Sequence, residues 1–276
     1  MSNNKLYIQL LSLIGLILHC ITGYSHEFWL QPLNFQLQER SLIEANLRVG
    51  QHFKGEPLRY FKTNFETFEL TMANKTVEIE SRFGQLPALS QLPLGEGLHI
   101  ASYISNNSTV VYPSPEKFTG FLTESGLDWV LTEHQQRGLP ASGFTEAYKR
   151  YVKSLIAVGN GDGQDQILGL DFEWVVNDNP YQLSAKQDNI SLQLLWQGKP
   201  FTNKKALIFN RIGDKVLEAQ LITDDQGKIV IPVLQGGEFM VSAVHMVRPS
   251  PELSASTEAV WQSLWTSTSF AVDKSK

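Results

Sequence analysis

Residues 191–233 read SLQLLWQGKPFTNKKALIFNRIGDKVLEAQLITDDQGKIVIPV, a stretch in which apolar and polar side chains alternate between evenly spaced turns. Alternation of this kind is the mark of a half-buried β-strand, whose successive side chains point to opposite faces. The runs are Ser191 to Trp196, Ala206 to Arg211, Val216 to Thr223 and Lys228 to Val233. Gln197-Gly198-Lys199-Pro200, Gly213-Asp214 and Asp225-Gln226-Gly227 occupy the gaps, where hairpins call for Gly and Asp. Glu238 to Val247 and Leu264 to Val272 continue the series. A strand roughly every ten residues, with a turn in each gap, predicts a small β-sandwich over residues 186–276.

Toward the N-terminus the same period recurs in Leu42 to Val49, Phe65 to Leu70, Val77 to Ile79 and His99 to Ile104. Asn74-Lys75 and Gly95-Glu96-Gly97 supply turn chemistry. These runs, with Leu168 to Val176, predict a first β-sandwich over residues 26–185. A helical insertion is expected within it at 114–158. Ser114-Pro115-Glu116 is a helix start, and Phe118, Phe121 and Leu122 follow at helical spacing. Gly126 interrupts this helix before Trp129, Val130 and Leu131. A second helix is expected from Ser142, because Phe144, Ala147, Tyr148, Tyr151, Val152, Leu155 and Ile156 form an amphipathic stripe. The expected fold class is therefore mainly β: two sandwiches of immunoglobulin or transthyretin-like kind, joined near residue 185. Asp162 and Asp165 lie in a glycine-rich loop without the register or closing Glu of a calcium loop.

Residues 1–25 read as a signal peptide. Lys5 is a basic n-region, Leu6 to Ile21 is an apolar run, and Gly23 and Ser25 are the small residues that cleavage requires. His19 precedes Cys20 where a lipoprotein signal needs Gly or Ala, so ordinary cleavage after Ser25 is expected, with no membrane insertion afterwards. Cys20 is the only cysteine. The mature chain then has no disulfide, no thiolate nucleophile and no zinc-thiolate cluster. Twenty-three basic side chains against 28 acidic ones, a net charge of −5, give no footing for nucleic acid. The expected location is the periplasm.

Cleavage there leaves His26 as the first residue. A terminal histidine can chelate a metal through its α-amine and its ring Nδ1. One further imidazole completes a three-nitrogen site suited to copper or nickel.

His26-Glu27-Phe28-Trp29-Leu30-Gln31-Pro32, Arg48-Val49-Gly50-Gln51-His52-Phe53-Lys54-Gly55-Glu56, Pro115-Glu116-Lys117-Phe118, Tyr148 to Leu155, Asp178-Asn179-Pro180-Tyr181-Gln182-Leu183, Ala243-Val244-His245-Met246 and Trp261 to Phe270 run in order along the chain. In these stretches the chain resembles the DUF4198 family, described as periplasmic components of cobalt or nickel uptake systems. The resemblance implies histidines of interest at His26, His52 and His245. The family often has Asp-Trp-Glu before the last strand; this chain has Ala259-Val260-Trp261-Gln262, which removes an acid there.

His134 near a helix end and His99 within an apolar strand read as structural histidines. His26, His52 and His245 are the candidate metal ligands, expected to converge between the two domains. Glu27 and Met246 are set aside because strand neighbours point to opposite faces. The expected function is capture of a nickel, cobalt or copper ion for a membrane metal transporter, without catalysis. Alternatives are a metal-free adhesion or scaffold sandwich and a histidine-brace copper oxidase. No Ser-His-Asp arrangement, nucleotide-binding glycine loop or HExxH helix is present.

Overall fold

In the computed structural model, residues 26–184 and 186–274 are described, so the expected leader and its cleavage point lie outside the described residues. The chain runs β1 (Glu27–Pro32), β2 (Gln36–Leu37), β3 (Ile43–Gln51), β4 (Lys54–Leu58), β5 (Phe65–Met72), β6 (Lys75–Glu78), β7 (Leu89–Gln91), β8 (Gly97–Ser105) and β9 (Ser108–Val111). Two helices follow, α1 (Pro115–Ser125) and α2 (Trp129–Gln136). Then come β10 (Thr145–Val158), β11 (Phe172–Val176), β12 (Asn189–Trp196), β13 (Lys199–Pro200), β14 (Lys205–Ile212), β15 (Lys215–Ile222), β16 (Lys228–Pro232) and β17 (Gly237–Val247). A short α3 (Pro251–Thr257) leads into the last strand, β18 (Ala259–Val272). The fold is mainly β, with helices α1 and α2 inserted between β9 and β10.

A ten-stranded sheet forms the middle layer, in the order β15-β14-β17-β18-β10-β8-β5-β6, with β2 and β9 also paired to β10. This sheet crosses the joint expected near residue 185, so the two halves share one sheet. β10 and β18 make the link, pairing in parallel from Thr145–Ala259 to Ser154–Ser269. On one face β1, β3, β4 and β7 form a second sheet. Phe28, Leu30, Ile43 and Leu47 from it meet Phe68, Leu70, Tyr103, Val152 and Ile156 of the middle layer. On the other face lies a third sheet of β11, β12, β13 and β16. There Phe172, Trp174, Leu192 and Ile231 meet Tyr151, Leu155, Ile208, Val241 and Phe239.

The expected second helix is a correction: residues 145–158 are strand β10. Its residues from Tyr151 to Val158 are buried on both faces, Val152 and Ile156 toward one core and Tyr151 and Leu155 toward the other. A strand covered on both sides loses the polar alternation that identifies strands, and its apolar residues here fall at helical spacing by coincidence. The first helix is as expected: Pro115 sits at its first turn, and Gly126 ends it in the left-handed region with φ 69°. Helices α1 and α2 pack Phe118, Phe121, Leu122 and Val130 over Val244, Met246, Trp261 and Trp265.

Strand β1 runs over β18. The hydroxyls of Ser267 and Ser269 donate to the carbonyls of Phe28 (2.7 Å) and Leu30 (2.6 Å). This satisfies backbone acceptors that strand pairing leaves open, and it gives the buried hydroxyl-rich segment of β18 a role. Among the described residues, no helix is long and apolar enough to cross a membrane.

Candidate functional site

β1 and β3 pair antiparallel from Pro32–Ala45 to Glu27–Gly50. His26 stands one residue beyond that last pair, and His52 two residues beyond it on the neighbouring chain segment. The hairpin that carries His52 is tight, because Gln51 pairs with Lys54 and only His52 and Phe53 form the loop. Both adopt left-handed φ, 55° and 56°, as a two-residue turn of this hand requires. Neither is glycine, so the turn is strained and must be held from outside.

Phe53 provides the hold. Its ring is fully buried, meets the Trp29 ring edge-on at 5.4 Å, and joins Phe209 and Met240 in a small core. The guanidinium of Arg211 lies 4.1 Å from the ring centroid and donates to the Phe53 carbonyl. The strands close in on both sides of the turn: a Cβ at Gly50 would lie 2.0 Å from the Lys54 carbonyl oxygen, and one at Gly55 would lie 2.3 Å from that of Val49. With Phe53 turned inward, His52 is left 61% exposed, and its Nδ1 lies 2.9 Å from Glu218 Oε1 on β15.

His26 is half-buried, and its Nδ1 is buried without a hydrogen-bond partner. Burial and the Arg150 cation hold its imidazole below the usual pKa, while Glu124 opposes them. The ring is therefore biased toward the neutral form that a metal requires. Arg150 lies over the rings of Tyr148 (4.6 Å) and Phe28 (5.2 Å). Glu27, only 7% exposed, also has a buried oxygen, Oε2, with no partner. Burial pushes its carboxyl up to about 7, Glu124 and Glu218 add to the rise, and His52 opposes it. A cleft of about 210 Å³ is lined by His52, Glu124 and Glu218 together with Leu207, Phe209, Ala219 and Gln220. Lys205 donates to the carbonyls of Thr123 and Glu124, fastening the end of α1 that carries Glu124.

His26 and His52 thus come to one end of the molecule, but His245 does not join them. Along β17, Val244 and Met246 face the helices, whereas Val241 and Ala243 face the opposite core. His245 shares the second parity and packs against Phe201 (4.7 Å), Trp196 (4.9 Å) and Phe172 (6.3 Å). The expected convergence of three histidines is corrected on this point, since the middle sheet lies between His245 and the face that β1 covers. Burial, with Lys204 adding to it, pulls the His245 imidazole down to about 4. His99 and His134 are engaged structurally. His99 accepts from the Leu94 N–H and lies 3.1 Å from the Gly97 carbonyl; His134 accepts from the Trp261 indole and lies 2.9 Å from the Pro140 carbonyl.

Among the described residues, no three His, Cys, Asp or Glu side chains stand together in a way that could hold a metal ion. The model of a domain of unknown function, DUF4198, matches residues 23–247, which include His26, His52 and His245. The chain belongs to the DUF4198 family. No curated protein matches it. In this DUF4198 chain, sequence reasoning missed Glu124, Glu218 and Arg150, which sit on α1, β15 and β10 and share no local pattern. Glu27 had been set aside for pointing away from His26. Its carboxyl is acted on by His52 and Glu218 and the His26 ring by Arg150, while Glu124 acts on both.

Proposed function

We propose that the chain is a secreted periplasmic protein that captures nickel, cobalt or copper at His26 and passes the ion to a membrane metal transporter. The observation that carries this reading is the buried, unpartnered Nδ1 of His26. A buried polar atom without a partner is costly, and a metal ion is one way to satisfy it. His26 Nδ1, the α-amine freed by cleavage after Ser25, and the exposed ring of His52 are the three nitrogens that would hold the ion. The acidic groups Glu27, Glu124 and Glu218 favour a dication nearby. The neighbouring Arg150 opposes it.

The test combines N-terminal sequencing of periplasmic protein with copper, nickel and cobalt titration followed by calorimetry and electron paramagnetic resonance. The expected result is a mature chain beginning at His26 that binds one ion, with binding lost in His26→Ala and weakened in His52→Ala. A mature N-terminus elsewhere removes the amine and refutes the reading. A second reading, a metal-free interaction sandwich, is favoured by an apolar cleft of about 340 Å³ between β15 and β16. It is lined by Leu217, Leu221, Val230, Pro232 and Phe239, among others. Failure of wild-type protein to bind any of the three ions supports that alternative.

A further inference from the structure

We infer that Lys153 and Asp165 are joined by an intramolecular amide bond, formed without a second protein and assisted by Glu173. All three side chains are cut off from solvent, at 1%, 0% and 0% exposure. Lys153 Nζ lies 2.8 Å from Asp165 Oδ1 and 3.5 Å from Glu173 Oε2. This contact holds the amine directly against the Asp165 carboxyl group, so the two reacting groups are already side by side. On β10 the lysine is flanked by Tyr151 and Leu155, both in the apolar core, so bulk water is kept from the site.

The surroundings are arranged as an acyl-transfer centre requires. The backbone N–H of Gln166 donates to Asp165 Oδ1 and that of Val176 donates to Oδ2, each at 2.8 Å. Two fixed donors on a carboxyl group polarise it toward attack and stabilise the oxyanion that attack creates. Glu173 is positioned in turn by the N–H groups of Leu168 and Gly169, both at 3.1 Å. Its carboxyl is raised above the usual range, chiefly by burial, so it is biased toward carrying a proton. One ammonium beside two carboxyls leaves one carboxyl to be neutralised, and Glu173 takes that role.

The step balances within the three residues. Lys153 transfers a proton to Asp165, which turns the ion pair into a neutral amine and a carboxylic acid. Nζ attacks the carboxyl carbon of Asp165. Glu173 gives its proton to the departing hydroxyl and recovers one from Nζ, so it ends as it began. A carbon–nitrogen bond forms, a carbon–oxygen bond breaks, and one water leaves. No oxidant or cofactor is consumed. Two physical terms favour the product. Bulk water, the reactant that would reverse the step, is kept from the site, while orientation worth an effective concentration of about 10⁵–10⁸ M speeds amide formation. Condensation also removes a buried ion pair, whose desolvation is costly. The bond closes the loop between β10 and β11, and it gives a covalent brace to a chain whose only cysteine is Cys20.

Mass spectrometry of the full secreted chain in denaturant tests this directly. The expected mass is lower than that of the sequence by one water, about 18 Da, as amide formation at an amine nucleophile requires. Trypsin should fail to cut after Lys153, so that a single peptide of residues 151–186, also lighter by one water, replaces peptides 151–153 and 154–186. Glu173→Gln should restore most of the full mass and the cut, and Lys153→Arg should restore both completely. A wild-type protein of full mass, freely cut after Lys153, overturns the inference and leaves the three residues as a permanent ion cluster. A loss of water that persists in Lys153→Arg also overturns it, because that outcome places the dehydration elsewhere. The wild-type measurement decides the matter even if a variant fails to fold.

Discussion

Replacing Phe53 by Ala tests whether a buried ring holds the strained turn that presents His52. Truncating a fully buried Phe costs about 3–5 kcal/mol through lost transfer energy and the cavity left behind. The edge contact with Trp29 and the Arg211 guanidinium 4.1 Å from the ring place the cost toward the upper end. Alanine keeps the Cβ that disfavours left-handed φ, so no strain is relieved in return. His52→Gly at the adjacent position is the contrast. It relieves about 1–2 kcal/mol of left-handed strain and adds about 0.5–1 kcal/mol of chain entropy. It also gives up an exposed pair with Glu218 worth about 0–1 kcal/mol. The net change lies between a loss of about 1 kcal/mol and a gain of about 1.5 kcal/mol on those same principles. Urea unfolding of both variants, followed by tryptophan fluorescence, measures the difference. A Phe53→Ala loss below about 1 kcal/mol, or one no larger than that of His52→Gly, would falsify the anchoring role.

Glu27 makes stability depend on pH. Its folded-state pKa of about 7 lies above the ordinary glutamate value of 4.5, so the fold favours the protonated form. That contribution is full below pH 4.5 and is lost as pH rises through 7, a change of about 3 kcal/mol. Glu27→Gln should therefore gain stability over wild type at pH 8 relative to pH 4; a difference that does not change with pH contradicts the raised carboxyl. Gly50→Ala should cost more than about 2 kcal/mol, since its Cβ would meet the Lys54 carbonyl oxygen at 2.0 Å, and thermal unfolding measures the loss. His245→Ala should leave copper or nickel affinity unchanged in the same titration in which His26→Ala abolishes it. An equal loss in both variants would place His245 at the ion after all.

The alternation in Ile190 to Leu195 and in Ile229 to Ile231 marked β12 and β16 from the sequence, because each has one polar face. Pro115 and Gly126 bounded α1 for equally local reasons, a preset φ at one end and a left-handed residue at the other. The prospect of a terminal histidine at His26 was likewise a local pattern. What escaped local reading is non-local in origin. β10 looked helical because one layer covers each of its faces, and one strand's burial depends on partners more than 100 residues away, such as Ser269 across from Ser154. The continuity of the middle sheet past residue 185 follows from that same parallel pairing. For the candidate site, the sequence named histidines but not their neighbours: Glu124 and Glu218 reach Glu27 only through packing of α1 and β15. His245 was separated from His26 by strand parity within a sheet whose two covered faces no single stretch reveals. Local propensity and periodicity determine elements; which faces those elements bury, and therefore which side chains meet, is decided when distant strands pair and layers stack.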